Sequence, residues 1–131
     1  MTSKIAIVFI DHYNDFLHPK GKLYSRLEHS LNKTDTIAHM ENVLKVARAN
    51  RIPLFYCMHQ QTDDHSFKDW TLMTNNQTGA RDNKVFRAGS FGAEYFKGIE
   101  PDFDNGDVVV SKHWNSRYEV VPPKSSVLLN F

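Results

Sequence analysis

The chain has 131 residues, 40% of them hydrophobic and 24% charged, with a formal net charge of +1. That length suits one domain rather than two, and the balance suits a folded chain rather than a disordered one. The near-neutral charge gives no electrostatic footing for nucleic acid or an acidic membrane surface, and no apolar run approaches the roughly 20 residues of a membrane span.

Residues 4–15 read KIAIVFIDHYND. Ile5, Ala6, Ile7, Val8, Phe9 and Ile10 are continuous rather than alternating, which predicts a strand buried on both faces of a helix-covered parallel sheet. The run is too short for a typical helix and for the apolar region of a signal peptide. Asp11 follows at the strand's carboxyl end, where open α/β sheets place their ligand crevice. An aspartate there also suits a turn, so the strand alone leaves both readings open. Phe16 and Leu17 are expected to pack under the strand end. Pro19 and Gly21 mark a turn, and Leu23, Leu27 and Leu31 share one face of a short helix.

Residues 34–50 carry the clearest helix. Thr34 or Asp35 caps its start, and Ile37, Met40, Val43, Leu44 and Ala47 recur as one apolar stripe. Lys45 and Arg48 lie near the end, where the dipole favours cations, and Asn50 suits a left-handed stop. A strand over residues 52–58 follows, with Pro53 at its beginning because proline cannot donate within a central ladder. Strand, helix, strand with short links is the right-handed crossover unit, so the two strands should be parallel.

Residues 60–88 read as a long polar loop, and loops of that length in compact domains are usually functional. A helical turn is expected over 93–96, and turn signals recur over 100–106. Residues 107–111, DVVVS, form the third strand, and Lys112 stands at its end. In a parallel sheet, Asp11 and Lys112 would emerge from the same rim although they lie roughly 100 residues apart in the chain. An ordinary ion pair at a sheet edge is the competing reading. Beyond them, Pro122 and Pro123 break regular structure, and 127–129 suit a short strand.

An Asp and a Lys in one crevice usually serve a third group. The acid takes a proton, and the cation stabilises an anion or lowers the pKa of a thiol. The chain has one cysteine, Cys57, inside an apolar strand, which predicts a buried structural role. One cysteine also excludes an internal disulfide and suits a reducing, cytoplasmic location. His59, Asp63, Asp64 and His65 cluster beyond the second strand. Such loops are usually solvated, so no metal and no cofactor are expected; His59 and His65 are the residues that would hold one. His12 and His18 read as surface or turn residues. Gly89-Ser90-Phe91-Gly92 lacks the strand and helix of a phosphate-cradling loop, and no nucleophile elbow supports a serine triad.

Three blocks, taken together, resemble the isochorismatase-like hydrolases, the cysteine hydrolase superfamily. They are the run from Ile10 to Leu17, IDHYNDFL, the run from Gly89 to Glu94, GSFGAE, and the run from Gly106 to Ser116, GDVVVSKHWNS. The resemblance covers residues 3 to 118. It implies an α/β fold with a three-layer, Rossmann-like parallel sheet, and hydrolysis of a small amide or related substrate by a Cys, Asp and Lys triad. By motif match it gives Asp11 the role of proton acceptor and Lys112 that of anion stabiliser. Phe16 and Trp114 fall where they would contact a small-molecule substrate. Some relatives hold a metal, but the pattern around His59 and His65 does not match cleanly. Tyr13 stands where the family usually has glutamine.

The resemblance places the nucleophilic cysteine after a fourth strand beyond the lysine, and this chain has no cysteine after Cys57. The expectation is therefore a domain over 1–118 that is incomplete at its carboxyl end, followed by a divergent tail over 119–131. That tail is expected to fold back toward the first strand. Such a chain would be inactive as given. The alternative is a non-catalytic module that binds a small molecule or a homologous subunit, and an open sheet edge would favour a homo-oligomer.

Overall fold

The computed structural model describes residues 5–112. Three parallel strands make its sheet: β1 (Ile7–Ile10), β2 (Leu54–His59) and β3 (Val108–Lys112), in that spatial order. β1 pairs with β2 from Ile7 against Leu54 to Ile10 against Cys57. β2 pairs with β3 from Phe55 against Val108 to His59 against Lys112. Each strand starts a residue or two later than its apolar run suggested. Pro53 sits just before β2, where its carbonyl accepts from the Ile7 N–H at 3.1 Å.

The helices are α1 (Asn14–Leu17), α2 (Tyr24–Lys33), α3 (Thr36–Ala49) and α4 (Asn75–Asp82), with short 3-10 turns at Phe91–Ala93 and Phe103–Asn105. Neighbouring side chains alternate across a strand, and residues in register share a face. Phe9, Leu54, Tyr56 and Met58 therefore point to one side. There they form a single core with Leu17, Leu44, Ala47, Val85, Phe86 and Ile99. Tyr56, Leu54 and Ala47 are fully buried.

Burial on both faces does not hold for β1. Val8 and Ile10, on the face away from that core, are 45% and 42% exposed. Among the described residues β1 has a strand on one side only, so its unbroken apolar run overstates its burial. The stripe on α3 is narrower than expected for a similar reason. Ile37, Met40, Leu44 and Ala47 meet the core, but Val43 is 42% exposed. Asp35 takes a left-handed conformation (φ 47°) and caps nothing with its side chain; the Thr34 hydroxyl donates back to the Ser30 carbonyl instead. Asn50 ends α3 by donating its side-chain N–H to the Val46 carbonyl, and Arg51, not Asn50, takes the left-handed turn (φ 54°).

The polar stretch between β2 and β3 is not a plain loop. α4 sits in it, with a reciprocal capping box: the Thr74 hydroxyl accepts from the Gln77 N–H, and the Gln77 side chain accepts from the Thr74 N–H. Two hydrogen bonds, Thr62 N–H to the Phe86 carbonyl and Ala88 N–H to the Thr62 carbonyl, tie its ends together. Trp114, His113 and the tail beyond them lie outside the described residues, as does the expected return of 127–131 toward β1.

Candidate active site

The three strands deliver three polar side chains to one rim. Asp11 follows β1, His59 ends β2 and Lys112 ends β3. Lys112 Nζ donates to Asp11 Oδ2 at 2.7 Å, across 101 residues of chain. His59 Nε2 lies 3.4 Å from that same oxygen and 3.4 Å from Lys112 Nζ. The register that sets His59 beside Lys112 is what closes this triangle.

Asp11 has a left-handed backbone (φ 58°), with its N–H held by the Cys57 carbonyl at 3.2 Å. Aspartate tolerates that region better than most residues, yet such positions still cost about 1–3 kcal/mol and cluster at functional sites. Burial pushes its carboxyl up, but hydrogen bonds from His59 and Lys112, and their charges, outweigh it. They hold Asp11 below the usual aspartate range. Its second oxygen, Oδ1, is buried and has no hydrogen-bond partner among the described residues. A buried acceptor without a donor costs about 1–3 kcal/mol.

Lys112 is 4% exposed. The His59 ring stacks on Phe86, with centroids 4.8 Å apart and planes at 10°, and Phe16 leans on both rings. The Tyr13 hydroxyl donates to the His59 carbonyl at 3.1 Å, which fixes the end of β2. Burial raises the Tyr13 hydroxyl to about 12, so it stays protonated and donating.

The triangle opens into a cavity of about 1090 Å³. Phe16, Phe67, Trp70 and Phe86 line it, with Lys22 and Arg26 toward α2 and Asn75, Asn76 and Gln77 from the start of α4. The size and mixed lining suit a small organic ligand with polar groups. Phe16 thus stands on the wall of the same cavity as Asp11 and Lys112.

The other candidate residues are placed differently. The His59, Asp63, Asp64 and His65 cluster does not converge. Asp63 folds onto its own turn, accepting from His65 N–H and from both donors of Ser66. Those bonds, with the Ser66 hydroxyl first, hold its carboxyl below the usual range. Asp64 pairs with Arg87 at 2.8 Å, and His59 is engaged with Asp11 and Lys112. Cys57 is half-buried rather than buried, in mid-strand between Ile10 and Val110, and does not line the cavity. His12 is not a surface residue: it is 1% exposed, packed among Phe9, Tyr56 and Tyr95. Burial pushes its imidazole down to about 4, against the pull of Asp11. Gly92 serves packing, since any side chain there would collide with the Asp15 carboxylate.

His59 is the residue whose place in the site the sequence reading missed. From sequence alone it reads only as a metal ligand. The available signal was positional: it is a polar residue ending an apolar strand, as Asp11 and Lys112 are.

The isochorismatase domain model matches residues 5–120, and the chain belongs to that family. Among solved structures, the chain is similar to N-carbamoylsarcosine amidase from Thermoplasma acidophilum, at 23% identity and a TM-score of 0.56. That match covers 85% of this chain and 53% of the amidase. It is also similar to a cysteine hydrolase from Pseudomonas syringae pv. phaseolicola, at 21% identity and a TM-score of 0.59, covering 86% of this chain and 48% of the other. The chain therefore spans about half the length of these structures, and at such identities the likeness is one of fold. No curated protein matches the chain closely enough to count as a relative. Among the described residues no helix is long and apolar enough to cross a membrane.

Proposed function

We propose that this rim is the acid and cation half of a hydrolase site acting on a small amide or related substrate. Asp11 accepts a proton through Oδ1, and Lys112 stabilises the anion that develops beside it. Phe16 packs against the ligand, and Trp114 is a second candidate for that contact. The observation that carries this reading is the 2.7 Å contact between Asp11 and Lys112, with the other carboxylate oxygen buried and without a partner among the described residues. The thiol is the missing member, because the chain's one cysteine, Cys57, stands in mid-strand outside the cavity. In this reading the chain as given binds substrate and does not turn it over, since removing a nucleophile costs several orders of magnitude in rate.

The placement of Cys57 equally favours a module that binds a small molecule without reaction. One experiment separates the readings: ammonia release and calorimetric binding over a panel of primary amides and N-carbamoyl amino acids. The hydrolase lineage predicts binding of at least one amide, weakened at least about tenfold by Asp11→Asn or Lys112→Met, without turnover. Turnover abolished by Lys112→Ala would reveal a nucleophile within this chain and overturn the inactive reading. Binding of acids or sugars but no amide would favour the non-catalytic module. A cytoplasmic location and self-association through the edge of β1 that carries no strand among the described residues go with the same proposal. A monomer by sizing chromatography at high concentration would remove the latter.

A further inference from the structure

We propose that His59 is a positioning residue that takes over the Lys112 ammonium when Asp11 accepts a proton. This rests on the reading that Asp11 is a proton acceptor. Lys112 is nearly buried, so its charge relies on protein acceptors rather than water. Among the described residues, those within reach are Asp11 Oδ2 at 2.7 Å and His59 Nε2 at 3.4 Å. When a proton from the reacting group bonds to Asp11 Oδ1, the carboxylate becomes a neutral acid. Oδ2 is then a carbonyl oxygen and a weaker acceptor. Without a substitute, the ammonium would be a buried, unpaired cation, which is strongly destabilising.

The Nε2 lone pair is the substitute. Its ring is already aimed by Phe86 and Phe16, and its backbone is pinned by Tyr13. The imidazole gains no net proton: it loses the Nε2 hydrogen to solvent and takes one from solvent on Nδ1. The ammonium keeps its three hydrogens, and one hydrogen bond shortens as another lengthens. A neutral acceptor suits this task better than a second carboxylate. It holds the cation without cancelling the charge that an adjacent anion needs. While Asp11 is charged, an Nε2 hydrogen faces Oδ2 at 3.4 Å; once Asp11 is neutral, the takeover requires the ring hydrogen on Nδ1, because an Nε2 hydrogen would then face only a donor. The other charged groups near the cavity, Lys22 before α2, Arg26 of α2, and Asp63 and His65 of the loop, form no bond with the triangle.

The test uses Asp11→Asn as a stand-in for the protonated acid. The titration of Lys112 is followed by NMR of its labelled ε-carbon. With Asn at 11, His59→Phe keeps the stacked ring and removes the lone pair. The midpoint for Lys112 should then fall by about one pH unit or more relative to Asp11→Asn alone. His59→Gln, which restores an acceptor, should recover most of that shift. With Asp11 intact, His59→Phe should leave the Lys112 titration near that of the unaltered protein. Coincident Lys112 titrations with and without His59→Phe would overturn the proposal, as would a shift that glutamine does not rescue. Should His59→Phe not fold, the His59 ring nitrogens in Asp11→Asn decide: hydrogen on Nδ1 supports the proposal, and hydrogen on Nε2 sinks it. These readouts need no turnover, so a failure to bind or cleave amides leaves them standing.

Discussion

Two aspartates four residues apart, Asp11 and Asp15, end up in opposite situations. Asp11 spends one oxygen on Lys112 and His59 and keeps the other without a donor. Asp15 is 1% exposed, and backbone N–H groups occupy both its oxygens: Lys22 N–H reaches Oδ1 at 3.1 Å, and Phe86 N–H reaches Oδ2 at 2.7 Å. Gly92 is pressed against it, where a larger residue would not fit. Asp15 thus ties together the turn after α1, the segment after α4 and the glycine block, and has no oxygen left for chemistry. A saturated buried carboxylate is architecture, whereas Asp11 lines the cavity and keeps one oxygen without a donor among the described residues.

The largest expected effect comes from reversing that assignment. Asp15→Ala strands two N–H donors, one of them fully buried, each worth about 1–3 kcal/mol. The urea midpoint should drop by an amount equal to about 2–4 kcal/mol, and Phe86, the platform for His59, should loosen with it. Asp11→Asn keeps a residue that accepts a left-handed backbone and an amide oxygen for Lys112, and should change stability less while removing the proton acceptor. Equal losses of stability from the two substitutions would erase the distinction.

His12, beside Asp11, sharpens it along the pH axis. The folded state holds this imidazole neutral, with its pKa pushed down from 6.5 to about 4 by burial. Between those values the unfolded chain takes up a proton that the folded one refuses. Stability from this group is therefore complete above about pH 6.5 and falls as pH drops toward 4, by about 3 kcal/mol in all. Asp11, whose pKa is lowered, adds stability that is lost only as pH falls below its unfolded value of 3.8. Denaturation of His12→Phe at several pH values should lose the first slope and keep the second. Both ring nitrogens of His12 lack partners among the described residues, so an apolar ring should also raise stability near pH 5. An unchanged slope would show that the proton goes elsewhere.

The histidines also show where sequence reasoning stops. Strand-ending residues such as Asp11 and Lys112 are legible because periodicity and strand order dictate which rim they reach. Whether a histidine next to them points into the core or the crevice depends on the turn after β1. That turn follows from the positive φ of Asp11, and no composition rule anticipates it. The same limit applies to β1, whose apolar run looks buried on both sides until its neighbours are counted. α4 escaped for another reason. Its apolar content is too low for a periodic signal, and only the cap at Thr74-Asn75-Asn76-Gln77 announced it.

That cap gives the smallest effect. Thr74 and Asp15 perform the same act, a side-chain oxygen accepting from backbone N–H, but Thr74 is exposed. Water can replace its hydroxyl, so Thr74→Ala should cost only about 1 kcal/mol. The change should appear as faster amide exchange over Asn75–Asp82, with the sheet unaffected. Because Asn75, Asn76 and Gln77 line the cavity, ligand binding should weaken modestly while the Asp11–Lys112 pair is untouched. A loss as large as that from Asp15→Ala would mean that α4 supports the whole domain. Burial would then no longer separate the two kinds of bond.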